Sequence, residues 1–121
     1  MATNQYPKVW DWSHEAQPKM LADWAKAPDV TGFYEIGYKK SGFEAMYCGR
    51  AAGVTLRARL RTHYLGSHNS NIRAHRNELW YRCKTLKTFE LACYVEAVHI
   101  VALGYQWNNR NEWAKHWALE S

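Results

Sequence analysis

Two β-favouring runs joined by four turn-forming residues constrain this chain more than any other feature. Val30, Thr31, Phe33, Tyr34, Ile36 and Tyr38 are strand formers, Lys39-Lys40-Ser41-Gly42 supplies a tight connection, and Phe43 to Gly49 resumes as a strand. That pattern predicts a β-hairpin. A hairpin is marginal on its own in water, so neighbouring segments must cover it. Gly53 breaks the chain, and Thr55 is placed to cap a helix over about 56–65 with Leu56, Leu60 and Tyr64 on its inner face. After the turn at 66–70, a short basic helix is expected over about 71–78 and a third strand over 79–85. Thr88 then caps a helix to about Leu103, with Leu91, Val95, Val98 and Ala102 facing inward and Gly104 as its stop. Ahead of the hairpin, Pro18 opens a helix to about Lys26, with Met20, Leu21, Trp24 and Ala25 on one face, closed by Pro28 and Asp29. This order predicts an α/β (α+β) layer fold: a three-stranded antiparallel sheet flanked by helices. The length of 121 residues suits one domain. Within it, 1–29 reads as an arm and short helix, 30–109 as the main body, and 110–121 as a tail with a helix around 112–119.

The net charge is +5, but nine Lys and Arg against Glu78 alone fall between Arg50 and Lys87, so that window carries +8 and the remainder −3. Like charges gathered this densely repel one another unless an anion faces them. Nucleic acid is the expected partner, DNA before RNA. Arg50, Arg57, Arg61, Arg73, Arg76 and Lys84 are its candidate contacts. Cys48, Cys83 and Cys93 form an odd set without CxxC spacing, which points away from a disulfide framework or zinc site and towards a reducing compartment. No stretch has the form of a signal peptide or membrane span, so a cytoplasmic protein without membrane partners is expected. Seven Trp and eight Tyr are read as core first. Trp10, Trp12, Trp113 and Trp117 would form the docking surface if the protein were an interaction factor instead.

Fold class alone does not name a function, but the placement of certain residues does more. Gly32-Phe33-Tyr34 lies on the first hairpin strand and Tyr47-Cys48-Gly49 ends the second. Arg59 precedes His63 by one turn on the following helix. Glu96 lies on the last long helix, and Asn108 follows it. These four signatures, in this order, resemble the GIY-YIG nuclease superfamily over roughly 30–109, with Phe33 and Cys48 replacing the commonest middle residues. The resemblance implies a divalent-metal-dependent endonuclease. It implies Tyr34, Tyr47, Arg59, His63 and Glu96 as catalytic residues, Glu96 as the ligand for Mg²⁺ or Mn²⁺, and Gly32, Gly49 and Asn108 in support. The loop after Gly49 is about two residues longer than usual, which leaves Arg57 as an alternative to Arg59.

The residue types suit the chemistry independently. Phosphodiester hydrolysis needs a deprotonated nucleophile, neutralised phosphoryl oxygens and help for the leaving alkoxide. Arg59 offers a fork of donors matched to phosphate, and one carboxylate suffices for a cation that keeps much of its water. Tyr34 is implied as general base or water-orienting group, although a phenol near pKa 10 needs a neighbour to lower the cost of losing its proton. Glu90 reads as a residue complementing a helix N-terminus, His99 as a core or boundary histidine, and His68 and His75 as members of the basic stretch. The competing expectation is a non-catalytic nucleic-acid-binding module that keeps the fold.

Overall fold

A computed structural model of the chain describes residues 17–108. The hairpin forms as expected: β2 (Gly32–Lys39) pairs antiparallel with β3 (Phe43–Ala51). The third expected strand, Trp80–Thr85, pairs antiparallel with the other edge of β2. The sheet nevertheless has four strands. Lys19–Met20 forms a two-residue strand, β1, on the outside of Trp80–Thr85, which is therefore β4, and the order is β1-β4-β2-β3. This corrects the helix expected from Pro18. Residues 19–20 are extended, and only Leu21–Lys26 coils, as a 3-10 helix. Met20 is accordingly exposed and Leu21 buried.

Among the described residues, three α-helices complete the fold. Helix α1 (Leu56–Gly66) is capped by the Thr55 side chain, which accepts from the Ala58 N–H. The short basic helix divides into α2 (Ser70–His75), capped by Asn69, and a 3-10 turn (Arg76–Glu78). Helix α3 (Phe89–Leu103) is capped by Thr88 and ends at Gly104 in the left-handed conformation, as glycine permits at little steric cost.

Alternate residues of β2 serve two cores, because successive strand side chains point to opposite faces. Tyr34 and Ile36 pack with Leu21, Leu56, Leu60, Ile72 and Leu79 on the α1 side. Phe33 packs with Cys48, Ala92, Val95 and Tyr105 on the α3 side. The buried face of α3 carries Ala92, Val95 and His99, whereas Leu91 and Ala102 are exposed. The helix is apolar almost all round, so its sequence does not set the phase, and the expected inner face is turned by about one residue. On α1 the third inner position belongs to His63, while Tyr64 is half-buried with its hydroxyl donating to Asn77. Residues 1–16 and 109–121, with Trp10, Trp12, Trp113, Trp117 and the expected final helix, lie outside the described residues.

Candidate active site

Tyr34 stands in register between Gly49 on β3 and Cys83 on β4. Its ring is fully buried and lies so close over Gly49 that a Cβ there would meet the phenol at Cζ, 2.5 Å away. Gly32 is confined in the same way, since a Cβ would strike the Lys84 carbonyl and the Leu56 side chain. Both glycines are thus packing requirements that let α1 and the Tyr34 ring approach the sheet.

The Tyr34 hydroxyl is 2.7 Å from His63 Nε2, and His63 Nδ1 is 2.9 Å from Ser67 Oγ. Burial raises the Tyr34 pKa well above the usual phenol value; Tyr47 and Glu96 add to the rise and Arg59 opposes it. Burial also lowers His63 to about 4, reinforced by the charges of Arg59 and His68. At neutral pH the phenol therefore carries its proton and donates to Nε2. The single imidazole proton then lies on Nδ1 and points to Ser67 Oγ, which also accepts from the Asn69 N–H at 3.1 Å. Tyr34, His63 and Ser67 form a hydrogen-bonded chain with a defined direction. Tyr47, half-buried, closes the group with its ring centroid 5.3 Å from His63 and 6.5 Å from Tyr34.

Arg59 is exposed one helical turn before His63. Interaction with Tyr34 is the largest influence holding its guanidinium charged, with smaller contributions from Tyr47 and Glu96 against partial burial. Arg57 points elsewhere: its Nε donates to the Ala27 carbonyl at 2.9 Å, and Nη1 lies 3.9 Å from Asp29. Of the two candidate arginines, Arg59 is the one beside Tyr34. Tyr47, Arg59 and His63 line a cleft of about 390 Å³.

Glu96 is carried by α3, on the opposite face of the sheet from α1. β3 is the edge strand, so helices on both faces can contribute groups near its rim. Glu96 is not an isolated acid. Its Oε1 accepts from Arg50 Nη1 at 2.7 Å, and its side chain is 17% exposed. Glu96 is outside the cleft lining, but its charge is felt by both Tyr34 and Arg59. A divalent cation fits this carboxylate. It is an ionic oxygen donor of the kind such a cation takes, and the Arg50 guanidinium on Oε1 is the positive partner the cation would compete with. One carboxylate with water is sufficient for Mg²⁺.

The remaining predicted residues have specific partners. Asn108 Oδ1 accepts from the Cys48 N–H at 2.9 Å and its Nδ2 donates to the Cys48 carbonyl at 3.0 Å, pairing with the edge of β3 beside Tyr47. Of the candidate nucleic-acid contacts, Arg50 is committed to Glu96 and Arg57 to Ala27 and Asp29. Arg73 and Arg76 each donate through Nη1 to a carbonyl, of Ser67 and Tyr64 respectively. Arg61 lies over the Trp24 ring, 5.7 Å from its centroid, and Lys84 is half-buried on β4. These arginines brace the basic stretch as well as charging it.

Two features escaped the sequence reading. Ser67 is buried against His63, although its place in a turn gives no hint of this. Glu35 is also buried on β2, bonded to Arg82 Nη2 at 2.7 Å and accepting from the Tyr105 hydroxyl. A charged residue between Tyr34 and Ile36, with Arg82 opposite on the partner strand, was the available signal.

No family model matches this chain, and no curated protein matches it in sequence. Solved structures do match. The GIY-YIG N-terminal endonuclease domain of UvrC from Thermotoga maritima, bound to its catalytic divalent cation magnesium, is 24% identical with a TM-score of 0.58, covering 74% of this chain and 96% of that one. A variant of the same domain with a tyrosine replaced by phenylalanine, bound to its catalytic divalent cation, is 23% identical with a TM-score of 0.57 and covers 74% and 94%. A variant with an asparagine replaced by alanine, likewise cation-bound, is 21% identical with a TM-score of 0.57 over the same shares. The chain has the GIY-YIG fold.

Proposed function

We propose that this protein is a divalent-cation-dependent nuclease that hydrolyses phosphodiester bonds, with DNA as the substrate. The observation that carries the reading is the Tyr34–His63–Ser67 chain beside Arg59, with the charge of Glu96 acting on Tyr34 and Arg59. A buried phenol is a poor base at neutral pH. Here it is hydrogen-bonded to an imidazole that stays neutral down to about pH 4. As Tyr34 takes a proton from the attacking water, it passes its own to His63 Nε2, and this weakly basic imidazole releases a proton to solvent through the cleft it lines. Arg59 favours any charge that develops on the phenol and binds a phosphate oxygen at the cleft mouth. Tyr47 orients water or phosphate, and Asn108 holds the strand that carries it. Glu96 would hold Mg²⁺ or Mn²⁺, which supplies Lewis-acid stabilisation of charge on the phosphoryl and leaving oxygens. The cysteines, all three free thiols, suit a reducing, cytoplasmic setting.

The direct test is incubation of supercoiled plasmid with Mg²⁺ or Mn²⁺. Wild type is expected to nick it. Arg59→Ala should lower the rate about 10²- to 10³-fold, as losing one transition-state donor does, and Glu96→Gln should abolish metal-dependent cutting. Circular dichroism should show both variants folded. Failure of the wild-type protein to cut with either ion would overturn the reading.

A further inference from the structure

The cleft that Arg59 lines does not include Glu96, and its lining adds groups that the proposed hydrolysis does not use. Trp107 contributes a large aromatic surface beside that of Tyr47, and His68, Ser70 and Asn71 contribute polar side chains. None of these three donates or accepts a side-chain hydrogen bond with another described residue. Among the described residues, no carboxylate lines the cleft.

Trp107 is held in place from several directions. Its N–H donates to the Met46 carbonyl at 2.8 Å, and its carbonyl accepts from Asn69 Nδ2 at 2.9 Å. His75 stacks on the ring with centroids 6.0 Å apart and planes inclined by 17°, and Tyr38 meets it edge-on at 5.8 Å. An aromatic wall fixed before binding loses little freedom when a flat group settles on it. A cation at the mouth, a flat apolar wall and hydrogen-bonding side chains together match a phosphate joined to a sugar and a nucleobase. A volume of about 390 Å³ is at the lower end of the roughly 300–1,000 Å³ typical of small-ligand sites. It suits one nucleotide and not a base pair.

We propose that this cleft receives one unpaired nucleotide adjoining the phosphate at Arg59, its base stacked against Trp107. The inference rests on the nuclease reading for that phosphate and narrows its substrate to strands that are single, bulged or locally opened. Unpaired bases suit such a site because stacking on an aromatic ring requires leaving the duplex stack.

The test measures binding separately from cutting. Full-length Glu96→Gln protein is titrated without divalent metal against three fluorescently labelled DNAs of matched sequence: a paired duplex, a duplex with a one-nucleotide bulge, and a single strand. Tighter binding to the bulge or the single strand by about tenfold is expected, and the two arms separate an opened duplex from a free strand. Adding Trp107→Ala should weaken binding to the preferred DNA by about 5- to 100-fold, with little change for the paired duplex. Trp107→Phe should retain most of the preference. If Trp107→Ala does not fold, Asn71→Ala on the cleft wall decides, through loss of the same preference. Equal affinity for all three DNAs overturns the proposal, as does a variant that weakens every DNA equally. Plasmid nicking by wild type is scored independently. Discrimination without cutting would retain the nucleotide site and reject the nuclease.

Discussion

Gly49→Ala tests how tightly the site is built. A Cβ at this position would stand 2.5 Å from Tyr34 Cζ and 3.1 Å from Cε1, where ordinary contacts begin at 3.4 Å. The ring must therefore withdraw by nearly 1 Å. It has little room, because Tyr34 is fully buried and its hydroxyl is tied to His63, which is tied in turn to Ser67. Overpacking of this kind costs about 1–3 kcal/mol, and losing the buried hydrogen bond adds about 1 kcal/mol. With a urea slope of about 2 kcal/mol per M, a total of about 2–4 kcal/mol lowers the unfolding midpoint by about 1–2 M. Gly42→Ala is the control: nothing lies within 4 Å of a Cβ there, so its effect should stay within about 0.5 kcal/mol. Tyr34→Phe should cost less in the Gly49→Ala background than alone, because the hydrogen bond is already displaced and the shortened ring relieves part of the clash. The reasoning fails if Gly49→Ala unfolds at the same urea concentration as Gly42→Ala.

Three further outcomes follow from the same geometry. His63 is lowered from 6.5 to about 4 in the folded protein, so its effect on stability is absent above pH 6.5. As pH falls from 6.5 to 4 the unfolded chain binds this proton and the native state does not, so stability should drop by about 3 kcal/mol, with no further loss from His63 below pH 4. Urea melts across that range should show this and His63→Asn should flatten it, except for a same-direction contribution from His99, also lowered by burial. Glu35→Ala removes the partner of both Arg82 and Tyr105 and leaves a largely buried guanidinium; a loss of about 3–5 kcal/mol is expected by chemical denaturation, and less than 1 kcal/mol would refute it. Asn108→Ala releases both polar groups of Cys48 at the edge of β3; amide exchange at Cys48 should accelerate at least tenfold, which roughly 1.4 kcal/mol of lost local protection would produce.

The arrangement of the site explains why its parts differ in sensitivity. Tyr34, His63 and Ser67 are enclosed and depend on one another, so a small change in any of them reaches all three. Arg59 and Glu96 approach from separate helices and act on the chain through their charges. The first group depends on packing, and the second on electrostatic reach. Stability measurements should therefore report chiefly on the first and cleavage rates on both.

Local chemistry was legible from sequence wherever neighbours along the chain decide the outcome. The hairpin followed from alternating β-formers around Lys39–Gly42, and the caps at Thr55 and Thr88 and the stop at Gly104 depend on single residues and their nearest peptide groups. The order of Tyr34, Tyr47, Arg59, His63 and Glu96 was visible for the same reason. Tertiary contact decided the rest. Residues 19–20 became a fourth strand because β4 offered an unpaired edge, which no local propensity encodes. An almost uniformly apolar α3 took its phase from the sheet beneath it, placing His99 inward and Leu91 outward. Arg57 and Arg59 have the same chemistry and similar flanks, yet Ala27 and Asp29 draw one away while Tyr34 faces the other. Sequence determines which interactions a residue is able to make; the fold determines which partners come within reach.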